Sequence, residues 1–276
     1  MDFTLSIYRK LLLTLQKQGY SFFTFHDFCL GKANGRYVIL RHDIDKYPLN
    51  ALIIARIEFS LGIKASYYFQ IKQELYNPEI IKQIANLGHE IGYHYNDLVD
   101  AKGNEKVAIE GFKANLSLFR SFVPITTVAM HGSPISKYDN RDLWQHYNYK
   151  DYGIIGEPYF DIDFSIMHYL TDTGRMWDGE RYSVRDRVDN YQLIVNNELK
   201  TRKSKCESLK VKPLHSTSDL INAINCGTFP EKAMMTTHPQ RWTDNKYEWM
   251  QELILQRLKN VLKWFLVSKK TTQNKF

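Results

Sequence analysis

Val38-Ile39-Leu40-Arg41-His42-Asp43-Ile44-Asp45 opens as an apolar run and closes on a knot of charge. Three consecutive aliphatic residues read as a strand buried on both faces, as in a parallel sheet. The polar residues after them then stand at the strand's C-terminal end. Asp43 and Asp45 are two apart, so on a regular strand both carboxylates face one side. Two carboxylates this close resist ionising together unless a cation separates them or one serves as an acid or base.

Outward from this segment, helix and strand signals alternate. Ile7, Leu11, Leu12 and Leu15 recur at helical spacing over 5–18, with Gly19 as a stop. Asn50 is a candidate cap for a helix running to about Leu61, with Gly62 ending it. Ala65 to Ile71 reads as an aromatic-rich strand. Asn77, Pro78 and Gly88 mark the two ends of a further helix, and His89 to His94 is short and strand-like. A longer helix over about 104–121 precedes a strand from Ile125 to Met130. Lys232 to Thr237 is a late strand, and about 246–268 forms a long amphipathic helix. The alternation predicts an α/β fold, a distorted (β/α) barrel forming one domain over 1–276, with a loop and strand insertion within 133–230.

In such barrels the C-terminal strand ends converge on one face, where sites are built. His42, His89, His94, His131 and His238 all fall at or beside strand ends. Four separate segments thus bring Asp43 and Asp45, His94, His131 and His238 toward one mouth. A mixed set of imidazole and carboxylate suits Zn²⁺ or a similar divalent ion. One Asp would then be a ligand and the other a base.

Composition narrows the class. Hydrophobic residues make up 43% of the 276, and 14% are aromatic, which excludes disorder for most of the chain. No apolar run approaches the roughly 20 residues of a membrane span. The N-terminal residues lack the pattern of a secretory signal, and three cysteines without a Cys-x-x-Cys pair fit a reducing compartment, so a cytoplasmic location is expected. The net charge of +7 is concentrated late, the densest cluster being Lys200, Arg202, Lys203, Lys205, Lys210 and Lys212. No nucleic-acid-binding signature accompanies it. Patterns for serine hydrolases, phosphate-binding loops and dinucleotide binding are also lacking.

The segments Leu40 to Asp45, Gly88-His89-Glu90-Ile91-Gly92-Tyr93-His94, Met130-His131-Gly132-Ser133-Pro134 and Thr237-His238-Pro239 together resemble the polysaccharide deacetylases, or NodB-homology carbohydrate esterases. The resemblance spans about residues 37–240 and is most like the divergent cytosolic branch encoded with surface-polysaccharide biosynthesis. It implies a metal-dependent hydrolase cleaving an acetyl or formyl group from an N-acylated amino sugar, carried on a nucleotide or lipid. It assigns Asp43 as base, Asp45 and His94 as metal ligands, and His238 as the acid that protonates the leaving amine; the two aspartates could exchange roles. The family's second motif histidine is Leu98 here, so His131, standing where the third motif has arginine, or Asp97 completes the metal set; His131 is the preferred ligand. Asp172, Arg175 and Trp177 are expected to read the sugar and its anionic carrier. The rival readings are a hydrolase of a small non-sugar C–N bond and a carbohydrate-binding pseudoenzyme.

Overall fold

The structure, a computed structural model, describes residues 1–72, 74–177 and 214–273, the last helix by its backbone alone beyond residue 261. The basic cluster from Lys200 to Lys212 and Cys206 lie outside the described residues.

The strands are β1 (Ser21–Phe23), β2 (Tyr37–Ile44), β3 (Ser66–Phe69), β4 (Glu90–Tyr95), β5 (Val128–Met130), β6 (His168–Thr171) and β7 (Lys232–Thr237). Every pairing between them is parallel, in the order β5-β4-β3-β2-β7-β6. β2 is the hinge of this order. Its first residues pair with β1 and its last with β3 on one edge, while β7 runs along the other.

The helices are α1 (Leu5–Lys17), α2 (Phe25–Cys29), α3 (Pro48–Ser60), α4 (Pro78–Asn86), α5 (Asp97–Asp100), α6 (Glu105–Arg120), α7 (Pro158–Asp161), α8 (Thr217–Asn225) and α9 (Lys246–Gln273). α1 starts where the Thr4 side chain accepts from the Ile7 amide, and it buries Tyr8, Leu11, Leu12 and Leu15. Burial of a leucine contributes about 1.5–3 kcal/mol, so this one stripe is sufficient to dock the helix. α4 has the Asn77 cap and the Pro78 start that its sequence announces. α3 differs from expectation. It begins at Pro48 after a left-handed Tyr47, and Asn50 lies inside it, because proline's fixed φ opens the first turn earlier.

Alternation along β2 sorts its residues between two layers. Tyr37 and Ile39 join Tyr68, Ala129, Tyr169 and Met234 in one interior cluster, whereas Val38, Leu40 and Ile44 pack outward among the helices. Ala129 and Tyr169 come from the strands at the two ends of the order, so the sheet must curl for them to share a core. The fold is therefore a distorted, open (β/α) barrel. Gly92 is needed inside it, since a β-carbon there would stand 2.3 Å from the Tyr68 ring.

Candidate metal centre

The interior face of β2 continues past Ile39 to Arg41 and Asp43, and Asp45 follows just beyond the strand. His94 near the end of β4, His131 one residue after β5 and His238 one residue after β7 arrive at the same end of the barrel. Asp45, His94 and His131 each offer one ligand atom, and these atoms all lie within 4.8 Å of one another. Asp45 Oδ1 stands 3.6 Å from His94 Nε2 and 3.5 Å from His131 Nε2. Two ligands bound at about 2.1 Å to a tetrahedral ion would stand roughly 3.4 Å apart, so this spacing fits a shared divalent cation.

Both imidazoles are already turned for that role. His94 Nδ1 is 3.0 Å from the Ala129 carbonyl, which takes its proton and leaves Nε2 facing Asp45. His131 Nδ1 is 3.1 Å from Asn96 Oδ1 and 2.9 Å from Ser133 Oγ. Asn140 donates to the same Asn96 oxygen and to the His131 carbonyl, tying β5's end to a 3-10 turn. Gln70 donates to Asp45 Oδ1 at 3.0 Å and steers that carboxylate. Burial alone would raise the Asp45 pKa, but the nearby imidazoles hold it well below the usual carboxylate range. His94 is shifted up: burial opposes its charge, and Asp43 and Asp45 overcome that. Asp45 and His131 are the members most open to solvent, at 26% and 22% side-chain exposure, so access is from their side.

Asp43 is gripped by its strand neighbour. Arg41 Nε and Nη2 donate to its two oxygens, each at 2.8 Å, a planar fork matching a carboxylate. Burial pushes the Asp43 carboxyl up, but the Arg41 guanidinium and the two histidines bring it below its ordinary value. Its Oδ2 is 3.8 Å from His94 Nε2. On the other flank His238 turns Nε2 toward Asp45 Oδ2 at 3.7 Å.

Three expectations need correction. Asp172 does not face a sugar: it is fully buried, and its carboxylate accepts from His238 Nδ1 at 2.6 Å, the His238 amide, Trp242 Nε1 and Arg241. Burial would raise this acid, yet Arg241 and His238 bring it down to about 2. Trp177 is 2% exposed, donates to Thr217 and packs beside Phe3 and Trp242. Arg175 does not reach outward either. It lies over the Phe3 and Trp249 rings and donates to the Trp249 carbonyl. The physical reason is shared: the segment 172–177 packs against α9 and the N-terminal residues, so its side chains face the protein interior.

Asp97, the alternative ligand, also points away from the centre. Tyr93 and Asn115 donate to it within the helical layer, and burial raises its pKa to about 6. The roles of Arg41, Gln70, Asn96 and Asp172 around the centre were missed. Arg41 was within reach, because it shares a strand face with Asp43; the other three depend on tertiary contacts.

No family model matches the chain, and no curated protein matches it either. Among solved structures it is similar to a mutant form of the peptidoglycan deacetylase PdaC from Bacillus subtilis, with a TM-score of 0.36 and 12% identity over 83% of this chain and 96% of that one. At that depth of similarity, what can be said of function rests on the side chains alone.

Proposed function

We propose that the protein is a metal-dependent amide hydrolase of the polysaccharide-deacetylase type, acting on an N-acylated amino sugar. The observation that carries this reading is the convergence of Asp45, His94 and His131 within 4.8 Å, flanked by Asp43 and by His238. That set contains three metal ligands, an ionised acid and an imidazole, the groups needed to hydrolyse an unactivated amide.

Asp45, His94 and His131 would hold a divalent ion, with zinc matching the nitrogen and oxygen donors. When bound, such an ion polarises the acyl carbonyl and lowers the pKa of a coordinated water. Asp43 is the base. Arg41 keeps its carboxylate ionised and fixed, so it can accept a proton from water without searching for its orientation. His238 is the acid. Asp172 holds Nδ1 and so presents Nε2 to the departing amine. Trp242 and Arg241 fix Asp172 in turn. The substrate class follows from the resemblance noted above: an acetyl or formyl amide on an amino sugar used for surface polysaccharide, carried on a nucleotide or lipid, handled in the cytoplasm.

The test is to offer purified protein a panel of N-acetyl and N-formyl amino sugars, free and nucleotide-linked, and to assay the released amine. Stoichiometric divalent metal and amine release that stops on chelation are expected. Cleavage of ureides or simple formamides with none of the sugars would replace the substrate class. Protein that holds no divalent metal would sink the mechanism.

A further inference from the structure

The C-terminal helix α9 is amphipathic, but it is docked the opposite way from an ordinary surface helix. Its polar residues Glu252, Gln256 and Asn260, four apart, are buried. Gln256 donates to Asn260, Asn260 donates to the Gly174 carbonyl, and Trp249 donates to the Asp2 carbonyl. Lys259 shares this side, with Lys46, Arg241 and Asp45 near enough to act on its charge. The polar stripe therefore packs on the segment at Gly174 and on the N-terminal residues.

The apolar stripe faces out. Tyr247, Met250, Ile254, Leu258 and Val261 follow one another by three or four residues, and each is 55–77% exposed. Together they form one continuous line along a single helix face. In sequence the same spacing next reaches Phe265, preceded by Trp264 and followed by Leu266 and Val267. Scattered exposed apolar residues need no explanation, but a line of them on one helix does.

Charge identifies what covers it. From residue 253 to 276 there are six Lys or Arg and no Asp or Glu. A second copy of this helix laid on the first would bring these bases together with Glu248 alone to pair them, since Glu252, the other acid of α9, is buried on the opposite face. An anionic lipid surface offers the complement to both features, an apolar layer below and negative headgroups beside it. Among the described residues no helix is long and apolar enough to cross a membrane, so α9 would lie on the surface rather than span it.

We propose that α9 docks the protein onto anionic membranes, its Tyr247–Val261 stripe entering the interface and the exposed Arg257 beside it reaching the headgroups. The helix is about 40 Å long, and its opposite face packs on Gly174, Arg175 and Asp2. The inference stands apart from the hydrolase reading, because binding to lipid is measured without turnover.

The experiment is co-sedimentation of the full-length chain with vesicles of phosphatidylcholine alone or doped with phosphatidylglycerol. Binding to the doped vesicles only, weakened by salt, is expected. Ile254→Gln with Leu258→Gln should weaken it by about tenfold or more, and Arg257→Gln by about fivefold. Both sites are on the open face, so the thermal midpoint should not move. Failure to bind doped vesicles, or equal binding to both kinds, overturns the proposal. So does light scattering that finds a dimer dispersed by the Ile254 and Leu258 changes, which would make a second copy the occupant.

Discussion

Two buried clusters of imidazole and carboxylate occupy opposite faces of one sheet, and neighbours in sequence are divided between them. His42 belongs to the outer cluster and Asp43 to the inner; Thr237 and His238 divide the same way. In the outer cluster the Glu58 carboxylate accepts from Tyr8, Tyr67 and His42, and His42 Nδ1 meets the Thr237 hydroxyl at 2.7 Å. His89 joins it with Nε2 directed at the Ala55 carbonyl. Close hydrogen bonds account for its members. In the inner cluster the groups facing one another across the mouth stand 3.5–3.8 Å apart, at or beyond hydrogen-bond contact. One cluster is closed by its own chemistry, and the other is spaced for a third partner.

The sharpest way to break the comparison is to remove one histidine from each. His94→Ala should abolish metal retention, measured by elemental analysis of purified protein, with only a modest change in thermal unfolding. His42→Ala should do the reverse, costing about 3–5 kcal/mol because it strips a partner from a buried carboxylate, with the metal content of the folded protein unchanged. Metal lost from both variants would mean that the two clusters act as one.

Within the inner cluster, Asp43→Asn tests the division of labour. The amide keeps the shape, so metal should stay bound while kcat falls by roughly 10²–10⁴-fold, the usual contribution of a positioned acid or base. If Asp43→Asn empties the centre and Asp45→Asn does not, the two aspartates have exchanged roles.

Asp172 sharpens the comparison through pH, since it lies at the centre's edge yet is closed like the outer cluster. Its folded pKa of about 2 is below the ordinary 3.8. The stability it contributes is thus fully present above pH 3.8 and is lost as pH falls from there toward 2, a total of about 2 kcal/mol. Acid titration of the unfolding free energy should show that decline in the parent and a flatter curve in Asp172→Asn. Parallel curves would disconnect the carboxylate from stability.

These faces explain what the sequence could and could not convey. Strand β2, the caps of α4 and the late strand β7 were legible because local rules fix them: aliphatic runs, Asn77-Pro78, Gly88. The barrel followed from their alternation. Five strand-end histidines looked alike, however, and only parity against the real strand register separates His94 from His42. His89 lies just before β4, at the strand's opposite end from His94. β1 and β6 are three and four residues long, too short to announce themselves. The segment from Asp172 to Trp177 read as a sugar-binding loop because charge and aromatics suggest exposure, whereas α9 covers it. The orientation of α9 was hidden for the same reason: an amphipathic pattern says that a helix has two faces, not which one is turned inward.

Asp97 gives the smallest effect and separates the two candidates for the third ligand. Its folded pKa of about 6 exceeds the ordinary 3.8, so its ionisation works against folding. That penalty is absent below pH 3.8, grows as pH rises toward 6 and stays constant above it. Asn can still accept from Asn115 through its oxygen, while its amide faces Tyr93, which already accepts from Asn115. One rearranged hydrogen bond offsets part of the relief, and a net gain of about 1 kcal/mol at neutral pH is expected for Asp97→Asn, vanishing or reversing near pH 4. Because Asp97 is turned into the helical layer, metal content and kcat should match the parent. A variant that loses its metal would put Asp97 in the centre in place of His131, and the spacing of Asp45, His94 and His131 would then be coincidence.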